Sequence, residues 1–216
     1  MSQKKKSPSA RNARGSRPHA AQREPAEAPE HVGLRDLTPR EDLAAAAERE
    51  GSPAMPVIAL IGTTLFMAGY YHLLALNQMT QLADGLTMPD NRLFGYSAAD
   101  LAALAAVMDE AALGQLNWVH KTAGVIFPIA VAVTLIAVSA WRLRPAGAKW
   151  AMVGLGVVFV VVDVWENIAI EAALHAAGDG AGLASGLTVA RWVLLALSTL
   201  TVLILVVFGG KGRTRR

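Results

Sequence analysis

Residues 150–174 read WAMVGLGVVFVVVDVWENIAIEAAL, a continuous apolar segment that contains three acids and no lysine or arginine. An α-helix of this length measures about 37 Å, and about 20 apolar residues are enough to cross the ~30 Å hydrocarbon core of a bilayer. The apolar residues do not alternate with polar ones, so the pattern is not that of a transmembrane β-strand. We therefore predict a membrane-spanning helix.

Three further segments have the same character, at about 55–76, 118–141 and 188–208. The chain is 53% hydrophobic and 17% charged, with a mean hydropathy of +0.36, whereas a soluble domain carries about 25% charged residues. These values exclude an ordinary soluble domain and predict an all-α integral membrane protein, a four-helix bundle over residues 54–209. Indole rings prefer the membrane interface, and four of them lie near the segment ends: Trp118, Trp141, Trp150 and Trp192.

Lysine and arginine predict the orientation, because they are enriched in cytoplasmic loops. The connection 142–149 carries Arg142, Arg144 and Lys149 without an acid. The segments 77–117 and 175–187 are acidic or neutral by comparison, so we expect them outside. Both termini are then cytoplasmic, and the topology is up-down. The first segment lies more than 50 residues into the chain and lacks a cleavage site, so we interpret it as a retained anchor.

The terminal segments are rich in charge. Residues 1–53 combine charge with Pro, Ala and Ser, which predicts a disordered cytoplasmic tail, with one short helix near 39–50 after the capping box that starts at Thr38. Residues 210–216 form a basic cytoplasmic tail. The basic end of the long tail either attracts anionic lipid or is a solvated segment that enforces orientation. We do not expect nucleic acid as a partner, because no aromatic residue accompanies the charge.

The predicted outside segment 77–117 is too long for a simple turn. Ser97 and Asp100 form a helix N-cap signal, and apolar residues then recur at helical spacing. We predict one extracytoplasmic amphipathic helix that lies on the membrane face or caps the bundle, with a packing role favoured over a binding role. Its apolar positions are Leu101, Leu104, Ala105, Met108, Ala112 and Leu113.

Polar residues inside the spans are the candidate functional residues, since each ionisable group in a membrane is costly. In the third span they recur at spacings of three and four, which places them on one helical face. Counting the helical rise along the other spans brings further polar residues to the same outer layer. The predicted intramembrane polar cluster is Asp163, Glu166, Asn167, Glu171, Lys121, His120, Arg191, Tyr71 and His72.

Three interpretations of this cluster remain open. In the first, Lys121 and Arg191 neutralise Asp163 and Glu166 in a structural ion-pair network. In the second, an outward-facing pocket binds a ligand or relays protons. In the third, which is the least favoured, the cluster is catalytic, and the sequence indicates no catalytic residue.

We predict a non-enzymatic membrane protein that binds a small ligand, a lipid head group or a membrane partner. The alternatives are a small proton-coupled transporter or oligomeric channel subunit and, after that, a lipid-modifying membrane enzyme. The expected partners are membrane lipid and either a second copy of the chain or another membrane protein. The chain has no cysteine and no Glu-x-x-His pair, so we expect no metal and no cofactor.

The order of several short motifs resembles a family of uncharacterised bacterial four-span membrane proteins. The motifs are Gly95-Tyr96-Ser97, Phe127-Pro128, Asp163-Val164-Trp165-Glu166-Asn167, Thr188 and Arg191-Trp192, and the resemblance covers about residues 94–200. It implies the fold and a location in the bacterial cytoplasmic membrane, and it implies no reaction. The chain departs from the family at Gly124, where an Asp is common.

Overall fold

The computed structural model describes residues 54–209, which are helical and contain no β-strand. The prediction of an all-α fold is therefore confirmed for this part of the chain. The predicted disordered tail 1–53, its helix near 39–50 and the basic tail 210–216 lie outside the described residues.

Four helical segments in this part are long and apolar enough to cross a membrane, in agreement with the four predicted spans. Each observed segment is longer than the corresponding prediction, because the helix continues beyond the apolar core at one or both ends. We number the helices α1 (Ala54–Leu82), α2 (Ala98–Val107), α3 (Glu110–Lys121), α4 (Ala123–Arg142), α5 (Ala146–His175) and α6 (Ala181–Phe208). The segment Glu110–Arg142, which contains α3 and α4, counts as one of the four.

Helix α1 is not a regular α-helix throughout, since Gly69–Ala75 is π-helical. A π-helical turn inserts an extra residue and shifts the direction in which the following side chains point. Tyr71, in the middle of this turn, is completely buried. The irregular turn therefore determines where the polar residues of α1 meet the rest of the bundle.

The prediction of one amphipathic helix continuing from Ser97 to Leu113 is wrong in its extent. The capping box of Ser97 and Asp100 is present as predicted, but α2 ends at Val107. Asp109 then caps a new helix, because its carboxylate accepts a hydrogen bond from the backbone N–H of Ala112 at 2.8 Å. A second N-cap inside an apolar repeat starts a new helix axis, and helical spacing alone does not reveal that change.

Helix α4 lies at the centre of the bundle and packs against α1, α5 and α6, while α5 also packs along α6. The hydroxyls of Thr64 and Thr134, 2.7 Å apart, join α1 to α4. Helices α1 and α6 make at most sparse contact with each other. The bundle is consequently open along one side, between α1 and α6.

Candidate functional site

The segment between α1 and α2 enters the bundle as a short 3₁₀ turn, Pro89–Asn91. Asp90 in this turn has no exposed surface. Buried backbone polar groups outside a regular helix need hydrogen-bond partners from the surrounding protein. The turn therefore depends on partners from the helices around it.

Four side chains from three helices bind Asp90. Its carboxylate Oδ1 accepts a hydrogen bond from the Tyr71 hydroxyl at 2.7 Å and lies 3.3 Å from Nε2 of His120. Its backbone carbonyl accepts hydrogen bonds from the guanidinium of Arg191 and, at 3.1 Å, from the indole of Trp192. Burial alone would raise the pKa of Asp90, but His120, Arg191 and Tyr71 together hold that pKa well below its usual range.

Arg191 is the central cation of the site and is 1% exposed. Its Nε lies 2.5 Å from Oε2 of Glu166, and its Nη1 lies 3.7 Å from Oδ1 of Asp163. Both acids are fully buried. A cation that pairs with two carboxylates and one carbonyl joins α5, α6 and the 3₁₀ turn, and its removal would strand all three groups.

His120 extends the site toward the surface. Its Nδ1 lies 2.8 Å from Oε1 of Glu171, whose side chain is 21% exposed. Asn117 donates a hydrogen bond to the other carboxylate oxygen of Glu171. We call the connected side chains, from α3, α5, α6 and the 3₁₀ turn, the charged network: Asp90, His120, Asp163, Glu166, Glu171 and Arg191.

Lys121 does not neutralise the buried acids, as the first of the three interpretations of the cluster expected. It is exposed, and among residues 54–209 no acid lies within ion-pair distance of it. His120 is buried, and successive residues of a helix point about 100° apart, so the next side chain turns away from the bundle. The neutralising partners of the buried acids are instead Arg191 and His120.

Asn167 binds a carbonyl group that Pro128 leaves free. Proline has no N–H, so the carbonyl four residues earlier, that of Gly124, loses its helical donor. The amide nitrogen of Asn167 donates to this carbonyl at 3.3 Å. A Cβ atom at Gly124 would lie 2.9 Å from that amide nitrogen, so the glycine permits the close approach of α4 and α5.

His72, the remaining predicted site residue, lies beside the charged network. Its Nδ1 is 2.9 Å from the side-chain oxygen of Asn91, the neighbour of Asp90. Its Nε2 is buried and has no hydrogen-bond partner among the described residues. His72 therefore forms no ion pair with an acid among the described residues and lies against the 3₁₀ turn through its contact with Asn91.

A cavity of about 400 Å³ begins at His72 and follows the open side of the bundle. We call it the lateral cleft. His72, Phe127 and Trp192 line one end, and Ile61 and Val202 line the other. The volume is in the range of small-molecule binding sites, about 300–1,000 Å³.

Sequence reasoning missed Asp90, Asn91 and Asn117 as members of the site. Each lies in or near the loop region, where an acid or amide is usually solvated, so no periodicity signals its burial. Trp192 was expected at a span end, but α6 begins at Ala181, so the indole lies well inside the helix. The rest of the predicted cluster, apart from Lys121, is assembled around Asp90 or adjoins it.

No protein-family model, no curated protein and no solved structure matches the chain. Within residues 54–209, no group of three or more histidine and acidic side chains is arranged to hold a metal ion.

Proposed function

We propose that the protein is a multi-pass protein of the bacterial cytoplasmic membrane that binds a small membrane-resident molecule in the lateral cleft. In this proposal the four spans run up-down, both termini are cytoplasmic, and α2 with the 3₁₀ turn is extracytoplasmic. The observation that carries the proposal is the cleft itself, which opens sideways between two of the long apolar helices and has His72 and Trp192 in the lining of one end.

The charged network is a less suitable binding site than the cleft. Asp90, Asp163, Glu166 and Arg191 are each at most 1% exposed, so a ligand would have to break ion pairs to reach them. Buried ion pairs of this kind are well suited to fixing the register of helices. We infer that the network holds α5, α6 and the 3₁₀ turn in place, and that the adjoining cleft receives the ligand.

The family resemblance remains part of the proposal. Residues from four of its motifs, Tyr96, Asn167, Thr188 and Arg191, meet in or next to the network, where the hydroxyl of Thr188 donates to that of Tyr96 at 3.2 Å. Because these motifs are distant in sequence and close in space, their meeting supports the proposal that the chain shares its architecture with the family that it resembles.

The proposed topology predicts the result of reporter fusions. A reporter that is active only in the cytoplasm should be active when it is inserted within 142–149 and inactive within 80–95, because only the first segment is basic. Cytoplasmic activity from the fusion within 80–95 would contradict the up-down arrangement.

Blocking the cleft should abolish ligand binding. A Cβ at Gly69, which lines the cleft, would meet no atom within 4 Å, so Gly69→Leu fills the space without displacing backbone. Native mass spectrometry of protein extracted from its membrane should show a bound small molecule on the wild type, and Gly69→Leu should lose most of it.

Gly62→Leu is the matched control, because Gly62 lies on the same helix, has equally open surroundings and does not line the cleft. This variant should retain the bound molecule. If the wild type carries no small molecule, or if both variants retain it equally, the cleft is not the binding site.

A further inference from the structure

A β-turn with two large apolar side chains at its tip follows the buried 3₁₀ turn. The backbone N–H of Gly95 donates to the carbonyl of Arg92 at 3.1 Å, which leaves Leu93 and Phe94 in the two central positions. We call these two residues the apolar tip. Glycine, proline and short polar residues dominate the central positions of turns, so the geometry of the turn does not explain the apolar tip.

The apolar tip is exposed. Phe94, which is 98% exposed, packs on no other part of the described chain, and Leu93 is 51% exposed. Apolar surface in contact with water is unfavourable, and neighbouring exposed apolar side chains can mark a contact with a membrane or another protein. The tip therefore needs an apolar environment that the rest of the bundle does not supply.

Contacts on both sides of the tip give its level along α6. Before the tip, the carbonyl of Asp90 accepts a hydrogen bond from the indole of Trp192 at 3.1 Å. After the tip, the backbone N–H of Tyr96 donates to the hydroxyl of Ser185 at 2.9 Å. Ser185 and Trp192 are seven residues apart, or about 10 Å along the helix, and the tip lies close to this interval.

Gly95 seats the turn directly against α6. Its φ is +83°, and a Cβ at this position would overlap the hydroxyl of Ser185 and lie 3.5 Å from a methyl group of Val189. A residue with a side chain would therefore push the turn away from the helix. Because Gly95 follows Phe94 directly, the apolar tip is held near the level of Ser185 and Val189.

This level coincides with the edge of the predicted hydrocarbon core. The apolar span that the sequence indicates in α6 covers 188–208, which corresponds to about 30 Å of helix, the thickness of that core. Thr188, where this span begins, lies between Ser185 and Trp192. The apolar tip is consequently level with the boundary between acyl chains and head groups.

The one charge beside the tip has a partner of its own. Arg92 is the only charged residue of 91–97. Its Nη1 lies 2.9 Å from Oδ1 of Asp100, on α2. The guanidinium therefore has a counter-ion on α2, and insertion of the neighbouring apolar tip would not have to carry an unpaired charge into the bilayer.

We propose that the apolar tip inserts into the lipid bilayer beside α6 and anchors the loop that carries Asp90. The partner is the phospholipid of the adjoining leaflet, whose acyl chains cover Leu93 and Phe94 just below the head groups. This inference rests on the membrane location in the proposed function, and it is independent of the lateral cleft.

Spin labels placed one at a time test the insertion. The chain has no cysteine, so each single-cysteine variant carries one nitroxide, and Leu93→Cys and Phe94→Cys label the tip. Val161→Cys, at an exposed position near the middle of α5, is the hydrocarbon reference. Glu110→Cys, at an exposed acid that begins α3, is the aqueous reference.

The measurement is the ratio of two collision rates, taken by EPR power saturation in phosphatidylcholine–phosphatidylglycerol vesicles. One collision partner is O₂, which concentrates in hydrocarbon, and the other is a neutral nickel chelate, which stays in water. The O₂-to-nickel ratio at Leu93→Cys and at Phe94→Cys should be several-fold higher than at Glu110→Cys. It should be lower than at Val161→Cys, because the tip lies at the edge of the core.

A second substitution assigns the anchoring to the phenyl ring. Leu93→Cys keeps Phe94, so adding Phe94→Ser to this labelled variant removes the ring while the label stays in place. The O₂-to-nickel ratio should then fall toward the value of Glu110→Cys. Phe66→Ser is the matched control, because it removes an exposed phenyl ring from α1, and it should leave the ratio at the tip unchanged.

The outcomes separate this inference from the proposed function. If the ratio at Val161→Cys is no higher than at Glu110→Cys, the membrane location fails, and the inference fails with it. If Val161→Cys gives the expected ratio and the tip labels match Glu110→Cys, the insertion is overturned while the membrane location stands. Tip labels that neither reagent reaches would mean that protein covers the tip, which also overturns the insertion. An unchanged ratio after Phe94→Ser would overturn the anchoring by this ring.

Discussion

Replacing Arg191 with methionine should lower the free energy of unfolding by about 3–5 kcal/mol, because the change strands buried acids without their cation. Glu166, at 2.5 Å, and Asp163, at 3.7 Å, lose their common partner. The carbonyl of Asp90 also loses a donor. The measurement is the unfolding midpoint of wild type and Arg191→Met in one detergent at one pH.

Glu166→Gln in the Arg191→Met background should restore part of the loss, since it removes one stranded charge. Residues that share an ion pair give non-additive effects. Lys121→Met is the control, because it also removes a cation but from an exposed side chain, and its midpoint should stay at the wild-type value. Additive effects of the Arg191 and Glu166 changes would show that the pair does not contribute to stability.

The sequence predicted the four long apolar helices because the requirements of membrane insertion impose a simple rule on composition. A helix that crosses a bilayer needs a long apolar segment whatever its neighbours are, so the four segments are visible without knowledge of packing. The shared face of Asp163, Glu166 and Asn167 was predictable for a similar reason. Their spacing of three and four residues fixes their direction within one helix.

The sequence did not predict which cation pairs with the buried acids. Counting the helical rise gives the height of a side chain along its helix axis, but not the direction in which it points around that axis. Lys121 and Arg191 were expected at similar heights, but only Arg191 points inward. The deciding contact comes from Asp90, whose burial depends on the course of a loop. An aspartate followed by an asparagine in a loop, such as Asp90-Asn91, reads the same in the sequence whether the two side chains are solvated or buried.

The lateral cleft could not be predicted from the sequence either. Residues that face lipid and residues that face an apolar cleft are of the same types, so Leu65 or Val202 reveals nothing about which it faces. The cleft exists because α1 and α6 each pack on α4 and make little contact with each other. That arrangement depends on contacts such as Thr64 with Thr134, which join helices far apart in sequence.

Asp90 connects the network to the cleft, because its neighbour Asn91 holds His72. Asp90→Ala should lower the free energy of unfolding by about 3–5 kcal/mol, since it leaves His120 and the Tyr71 hydroxyl without their common acceptor. Asp90→Asn keeps one acceptor oxygen and should cost less, about 1–3 kcal/mol. Asp84→Asn, at an exposed position of the same loop, should leave the unfolding midpoint unchanged.

The pH dependence of stability provides an independent test of Asp90. His120, Arg191 and Tyr71 hold its pKa below the ordinary value of 3.8 despite burial. A carboxyl group whose pKa is lower in the folded state contributes its full stability above the unfolded value, and loses it as the pH falls toward the folded value. Between neutral pH and about pH 3, the unfolding midpoint of the wild type should therefore fall more steeply than that of Asp90→Asn. Equal slopes would mean that Asp90 is not ionised in the folded protein, and the 3₁₀ turn would then be held by its carbonyl contacts with Arg191 and Trp192 alone.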